Sequence, residues 1–115
     1  MRLPRADRLE VPQEKVADYL LSAGHPQGRH KSAFFRAFGF SPTAWERLAA
    51  ALARHGAEHE VTVTEDTPFG RRYSVDGGLV ALDGRRPMVR TVWFVDKGSD
   101  VPRFVTAHPI ARRAP

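Results

Sequence analysis

The segment Ser41-Pro42-Thr43-Ala44-Trp45-Glu46-Arg47-Leu48-Ala49-Ala50-Ala51-Leu52-Ala53-Arg54-His55-Gly56, followed by Val61-Thr62-Val63-Thr64, changes its apolar period partway along, and that change decides the fold class. Ser41-Pro42 pairs a capping residue with one suited to a first helical turn. Trp45, Leu48, Ala49 and Leu52 then recur at helical spacing, and Gly56 is the expected stop. From Glu58 onward valines alternate with threonines, the pattern of a half-buried strand.

Toward the N-terminus, a second helix is expected from about His30 to Phe38, burying Phe34, Phe35 and Phe38, with Gly39 supplying its left-handed end. Before it, Pro12 at a first helical position and Glu14 in the first turn open another helix. Its Val16, Tyr19 and Leu20 should face the core, and it stops near Ser22 because Gly24 and Pro26 both break it. Leu9 and Val11 read as a short extended piece at the end of a basic, irregular arm.

Toward the C-terminus, Thr67-Pro68-Phe69-Gly70 turns the chain and Arg72 to Val75 returns it. Gly77-Gly78 and Asp83-Gly84 are further turn signals, and Met88 to Val95 is the clearest strand. Lys97-Gly98-Ser99-Asp100 then leads into a last strand, Arg103 to His108. The order predicts an α+β fold in which three N-terminal helices pack on a four-stranded antiparallel meander sheet. Residues 1–115 read as one domain, with a core at about 9–109, a flexible N-terminal arm and a frayed C-terminal tail.

Of the 115 residues 42% are hydrophobic, enough for one modest core. Cysteine is absent, which excludes disulfides and thiolate metal sites. No apolar run has the length of a membrane span and no export signal opens the chain, so a cytoplasmic location is the expectation. The net charge of +5 favours an anionic partner, nucleic acid or an acidic protein. Arg2, Arg5, Arg8, Arg112 and Arg113 carry much of that excess, which also suits a solubilising surface.

Several chemistries drop out. His25 and His30, and likewise His55 and His59, lack a carboxylate at hydrolytic zinc spacing, so all four read as surface histidines and neither metal nor other cofactor is expected. There is no G-x-S-x-G elbow and no glycine-rich phosphate loop. Acid–base chemistry without metal remains. The turn His25-Pro26-Gln27-Gly28-Arg29-His30-Lys31 gathers imidazoles and cations, where an imidazole can take a proton from a ribose hydroxyl and a cation can hold a phosphate. The last two strands add Arg90, Thr91 and Trp93, then Arg103, Thr106 and His108. Alternation sets Arg90 on an apolar face with Met88, Val92 and Phe94, so it is either a strand-edge exception or buried with a partner. Trp93 and the threonines equally suit a core and β propensity, and His108 a strand end.

Asp18-Tyr19-Leu20-Leu21, His25-Pro26-x-Gly28-x-x-Lys31-x-x-Phe34-Phe35, Val89-Arg90-Thr91-Val92-Trp93 and Pro102-Arg103-Phe104-Val105-Thr106-Ala107, in that order, resemble an uncharacterised bacterial domain family. Its members stand alone or form the C-terminal tip of phage-encoded and polymorphic toxins. That family in turn resembles the metal-independent ribonucleases that unite barnase, EndoU, the colicin tRNases and RelE-type toxins. The resemblance spans residues 3–109 and implies helices on a four-stranded antiparallel sheet, RNA as substrate, and a small antitoxin protein as partner. By position it carries candidate roles to His25, Lys31, Arg90, Arg103 and Thr106.

The reading that follows is a metal-independent endoribonuclease toxin of a bacterial toxin–antitoxin or conflict system. His25 would be the general base or acid, Lys31 and Arg90 would bind the scissile phosphate, and Thr106 would orient it or the 2′-hydroxyl. Arg29, His30, Arg103, Trp93 and His108 would contact RNA. The alternative is a non-catalytic nucleic-acid- or protein-binding module, in which Lys31 pairs with a carboxylate such as Asp18.

Overall fold

The computed structural model describes residues 1–22 and 29–110, the side chains of Arg29 and His30 aside. The chain is α+β. Helix α1 (Gln13–Lys15) runs directly into a π-helical segment (Val16–Leu20), and α2 (Arg29–Ala37) is short. A 3₁₀ turn (Pro42–Ala44) then opens α3 (Trp45–Glu58), the one long helix. Strands β1 (Val61–Thr67), β2 (Gly70–Gly78), β3 (Met88–Asp96) and β4 (Arg103–Pro109) follow and pair antiparallel in the order β1-β2-β3-β4. Among the described residues no helix is long and apolar enough to cross a membrane.

Local chemistry accounts for most boundaries. Ser41 Oγ accepts the Thr43 N–H at 3.3 Å, with Pro42 occupying the first turn. Gly39 ends the run after α2 with φ of +96°, a conformation that costs a residue without a Cβ little. Gly56 does not end α3, as its composition suggested; the helix continues to Glu58. Its function is close approach. A Cβ there would lie 2.7 Å from Trp93 Cζ2, so α3 settles onto the indole only because the side chain is missing.

The N-terminal helix also departs from expectation. Only its first turn is α-helical; from Val16 the turns widen, and the Leu21 N–H reaches back to the Val16 carbonyl at 2.9 Å. The arm before it packs against the rest of the fold. Leu3 is buried, the Val61 N–H donates to the Met1 carbonyl, and Glu10 bridges β4 beside Arg103.

The sheet has two unlike faces. Val75, Val89, Thr91, Trp93, Phe104 and Ala107 are buried with Leu48 and Leu52 of α3. Val89, Thr91 and Trp93 of β3 are buried on the α3 side, while of the apolar set Met88, Val92 and Phe94 only Val92 is buried and Arg90 among them has a carboxylate partner. The hydroxyl of Thr91 is satisfied within that buried face. The second face carries Arg72, Ser74 and Asp76 of β2 against Phe94, Val92 and Arg90 of β3. On β4 the pattern would break, since three positions separate Arg103 from Thr106 and a regular strand would turn them to opposite sides. An irregularity between Val92 and Trp93 in the β3–β4 pairing leaves Val105 unopposed, and Arg103, Thr106 and His108 all lie opposite second-face residues.

Candidate active site

Tyr19, Lys31 and Thr106 come from three elements and meet at the β4 side of the sheet. The Lys31 ammonium donates to Thr106 Oγ1 at 2.8 Å and to the Tyr19 hydroxyl at 3.1 Å. It also lies 5.1 Å from the Tyr19 ring centroid. Among the described residues no carboxylate forms an ion pair with Lys31, so the expected alternative of pairing with Asp18 is not what forms. The hydrogen bond from Lys31, opposed by partial burial, lowers the pKa of the Tyr19 phenol from its ordinary value.

Two local features aim these groups. The π-helical segment that contains Tyr19 is capped by Leu21, whose carbonyl accepts from Arg36 Nη2 at 2.8 Å and from Nε at 3.2 Å. Arg36 Nε also donates to the buried Ser32 hydroxyl at 3.0 Å. Arg36 thereby fixes α2 against the end of the π segment, which holds Lys31 opposite Tyr19. Helical spacing sets Tyr19 toward the core with Val16 and Leu20. The signal that it does more is its hydroxyl, which a half-buried tyrosine has to satisfy.

Beside this cluster, Asp76, Arg90 and His108 stand abreast on β2, β3 and β4. Arg90 is the half-buried cation with a partner. Nε donates to Asp76 Oδ1 at 2.7 Å and Nη2 to Oδ2 at 2.9 Å. Those bonds hold the Asp76 carboxyl below the usual carboxylate range, with His108 and His55 adding smaller attractions. His108 is half-buried opposite Arg90, and its Nδ1 lies 3.2 Å from the Pro109 carbonyl. Val92 opposite Thr106 sits one pleat from Arg90, so about 7 Å of sheet separates the two positions.

The other candidates fall in different places. Arg103 is exposed, donating to Asp96 from Nε at 2.9 Å and from Nη2 at 3.2 Å, with its guanidinium 5.2 Å from the Phe94 ring centroid. His25 lies outside the described residues, as do the side chains of Arg29 and His30, which open α2. Trp93, expected to offer a face to RNA, is fully buried against Gly56 and Phe104 and donates to Thr91 Oγ1 at 2.8 Å. An enclosed indole receives no base, so Trp93 belongs to the core.

His55 is likewise no surface histidine. Its Nε2 is 3.1 Å from the Gly77 carbonyl and 2.9 Å from the Val89 carbonyl, and its Nδ1 is 3.0 Å from Thr91 Oγ1. Carbonyls only accept, so Nε2 carries the ring proton and Nδ1 accepts from Thr91. Burial pushes its pKa down, the two carbonyls partly opposing this. No group of three histidine, aspartate or glutamate side chains among the described residues is placed to hold a metal ion.

The architecture has a solved counterpart. A chain of the contact-dependent growth inhibition toxin–immunity protein complex from Klebsiella pneumoniae 342 superposes with a TM-score of 0.63 at 14% identity. The match covers 87% of this chain and 98% of that one, and at such identity it establishes a shared fold. No curated protein matches the sequence. The model of a domain family of unknown function (DUF6883) matches residues 2–111, and the chain belongs to that family.

Proposed function

We propose that this domain is a metal-independent endoribonuclease acting as a toxin in a bacterial toxin–antitoxin or conflict system, with cytoplasmic RNA as its substrate. The observation that carries the reading is the Lys31 ammonium, held by the hydroxyls of Tyr19 and Thr106 with no carboxylate ion pair among the described residues. Such a cation can take up the charge that develops on a phosphate.

In the reaction, the ribose 2′-oxygen bonds to the adjacent phosphorus while the bond to the 5′-oxygen breaks, leaving a 2′,3′-cyclic phosphate. A base takes the 2′-hydroxyl proton, and an acid delivers one to the departing 5′-oxygen. His25 is the candidate for one of these roles. The Tyr19 phenol, whose proton is held less tightly than usual, is a candidate for the other. Lys31 balances charge on the non-bridging oxygens and Thr106 orients the phosphate. Arg90 would assist through Nη1, since Asp76 takes Nε and Nη2. His108 and Arg103 would contact the flanking chain. A toxin of this kind needs a small protein that neutralises it, and the fold's counterpart comes from a toxin–immunity protein complex.

Purified protein incubated with cellular RNA and a chelator is expected to release fragments ending in cyclic phosphate. RNA left intact under those conditions contradicts the proposal. The carboxylate pairs on Arg90 and Arg103 favour one other reading, a non-catalytic module that retains RNA or protein. Salt-sensitive retention of uncut RNA would establish that module instead.

A further inference from the structure

Arg72, Phe94 and Arg103 stand abreast on β2, β3 and β4, in direct register, on the sheet face that α3 leaves uncovered. We infer that this row is a stacking subsite for one unpaired nucleobase of a single-stranded RNA, next to the phosphate held at Lys31 and Thr106. The inference rests on the RNA reading above and adds to it the strandedness of the substrate and a residue, Phe94, that grips it.

Phe94 is half-buried although its strand neighbours Trp93 and Val92 are enclosed. Its ring leans over Gly70, where a Cβ would come within 2.7 Å of Cε2. A side chain at that position would collide with the ring, so the glycine leaves room for it. On the β4 side the Arg103 guanidinium lies over the ring, and Asp96 holds it from two nitrogens. The guanidinium plane and the part of the half-buried ring that it leaves open together form the surface that a base can cover. On the β2 side Arg72 is exposed and forms no ion pair among the described residues. Glu65 faces it in register without reaching it, so Arg72 is available to a phosphate.

Spacing links the row to the reactive cluster. Val92 pairs with Thr106 and Phe94 with Arg103, so the two rows are one pleat apart, about 7 Å along the strands. A base stacked on Phe94 therefore belongs to a nucleotide beside the one whose phosphate meets Lys31. Base pairing would hide both faces of that base in a duplex, so only a single strand or a splayed loop fits.

The test measures binding of a short labelled single-stranded RNA, 2′-O-methylated throughout so that no 2′-hydroxyl can attack. Phe94→Leu should weaken binding roughly 5- to 100-fold, and Phe94→Trp should keep it. On the wild-type protein, replacing each nucleotide in turn by an abasic unit should weaken binding at one position. There, Phe94→Leu should add no further loss. The same sequence as a duplex should bind more weakly. Equal binding by wild type and Phe94→Leu, losses that add at every position, preference for the duplex, or no binding by the wild type would each overturn the subsite. Because nothing is cut in this assay, a stacking signature alongside uncut natural RNA would remove the reaction and leave the subsite.

Discussion

The two faces of the sheet solve opposite problems with the same alternating strands. On the α3 side, Val75, Val89, Trp93 and Ala107 are fully buried, and the polar groups among them form a closed chain from the Trp93 N–H through Thr91 and His55 to two backbone carbonyls. On the other side, Arg90 and Arg103 pair with carboxylates, while Lys31 meets Thr106 and the hydroxyl and ring of Tyr19, with no carboxylate ion pair among the described residues. Desolvation explains the division. A buried polar group costs about 1–3 kcal/mol if left unsatisfied, so the covered face admits only groups whose bonds are all made. Water on the open face lets a cation keep unused valence for a ligand. Under the proposed function, one face therefore stores stability and the other supplies the reactive groups.

The largest expected effects lie on the covered face. Trp93→Ala should cost about 3–5 kcal/mol in denaturant melts, by emptying the space that Gly56 and Phe104 close around. Gly56→Ala should cost about 1–3 kcal/mol despite the better helix propensity of alanine, because its Cβ meets the indole. Arg72→Ala on the open face should fall within about 0.5 kcal/mol of wild type. An Arg72→Ala loss as large as that of Gly56→Ala would break the comparison.

A smaller effect is the pH dependence of folding through His55. Its pKa is lowered in the folded state, so the unfolded chain binds the proton more readily. Its contribution is fully present above the unfolded value of about 6.5 and is lost as pH falls through the folded value. Stability measured downward from neutral pH should therefore decline, and His55→Gln should flatten that part of the curve. An unchanged slope in His55→Gln would mean that other groups set it.

The smallest is spectroscopic. Lys31 lowers the Tyr19 pKa, so Lys31→Met should move one tyrosine ionisation upward in an ultraviolet titration. Wild type and variant titrating alike would mean that the ammonium and phenol do not meet in solution.

Much of the scaffold is legible in the residues. Ser41-Pro42, the stripe Trp45, Leu48, Leu52 and the turn residues Gly70, Gly84 and Gly98 mark where elements begin and end. The errors share one cause, since local spacing cannot see a distant partner. Gly56 looked like a stop because nothing near it in sequence shows the Trp93 ring. His55 looked exposed because its three partners lie on β2 and β3. The open face of β4 depends on one unopposed residue, Val105, which carries no glycine or proline to announce it. Lys31 and Thr106 are legible as site candidates, but their contact with Tyr19 comes through the widened turn at Val16–Leu20, which local spacing does not show.

The claim that reactivity and stability sit on separate faces is tested most directly by Lys31→Met, with RNA cleavage and melting temperature measured on the same preparation. The account predicts cleavage reduced about 100-fold or more, with the melting temperature within about 3 °C of wild type. Cleavage at the wild-type rate, or a loss that appears only together with unfolding, would contradict it.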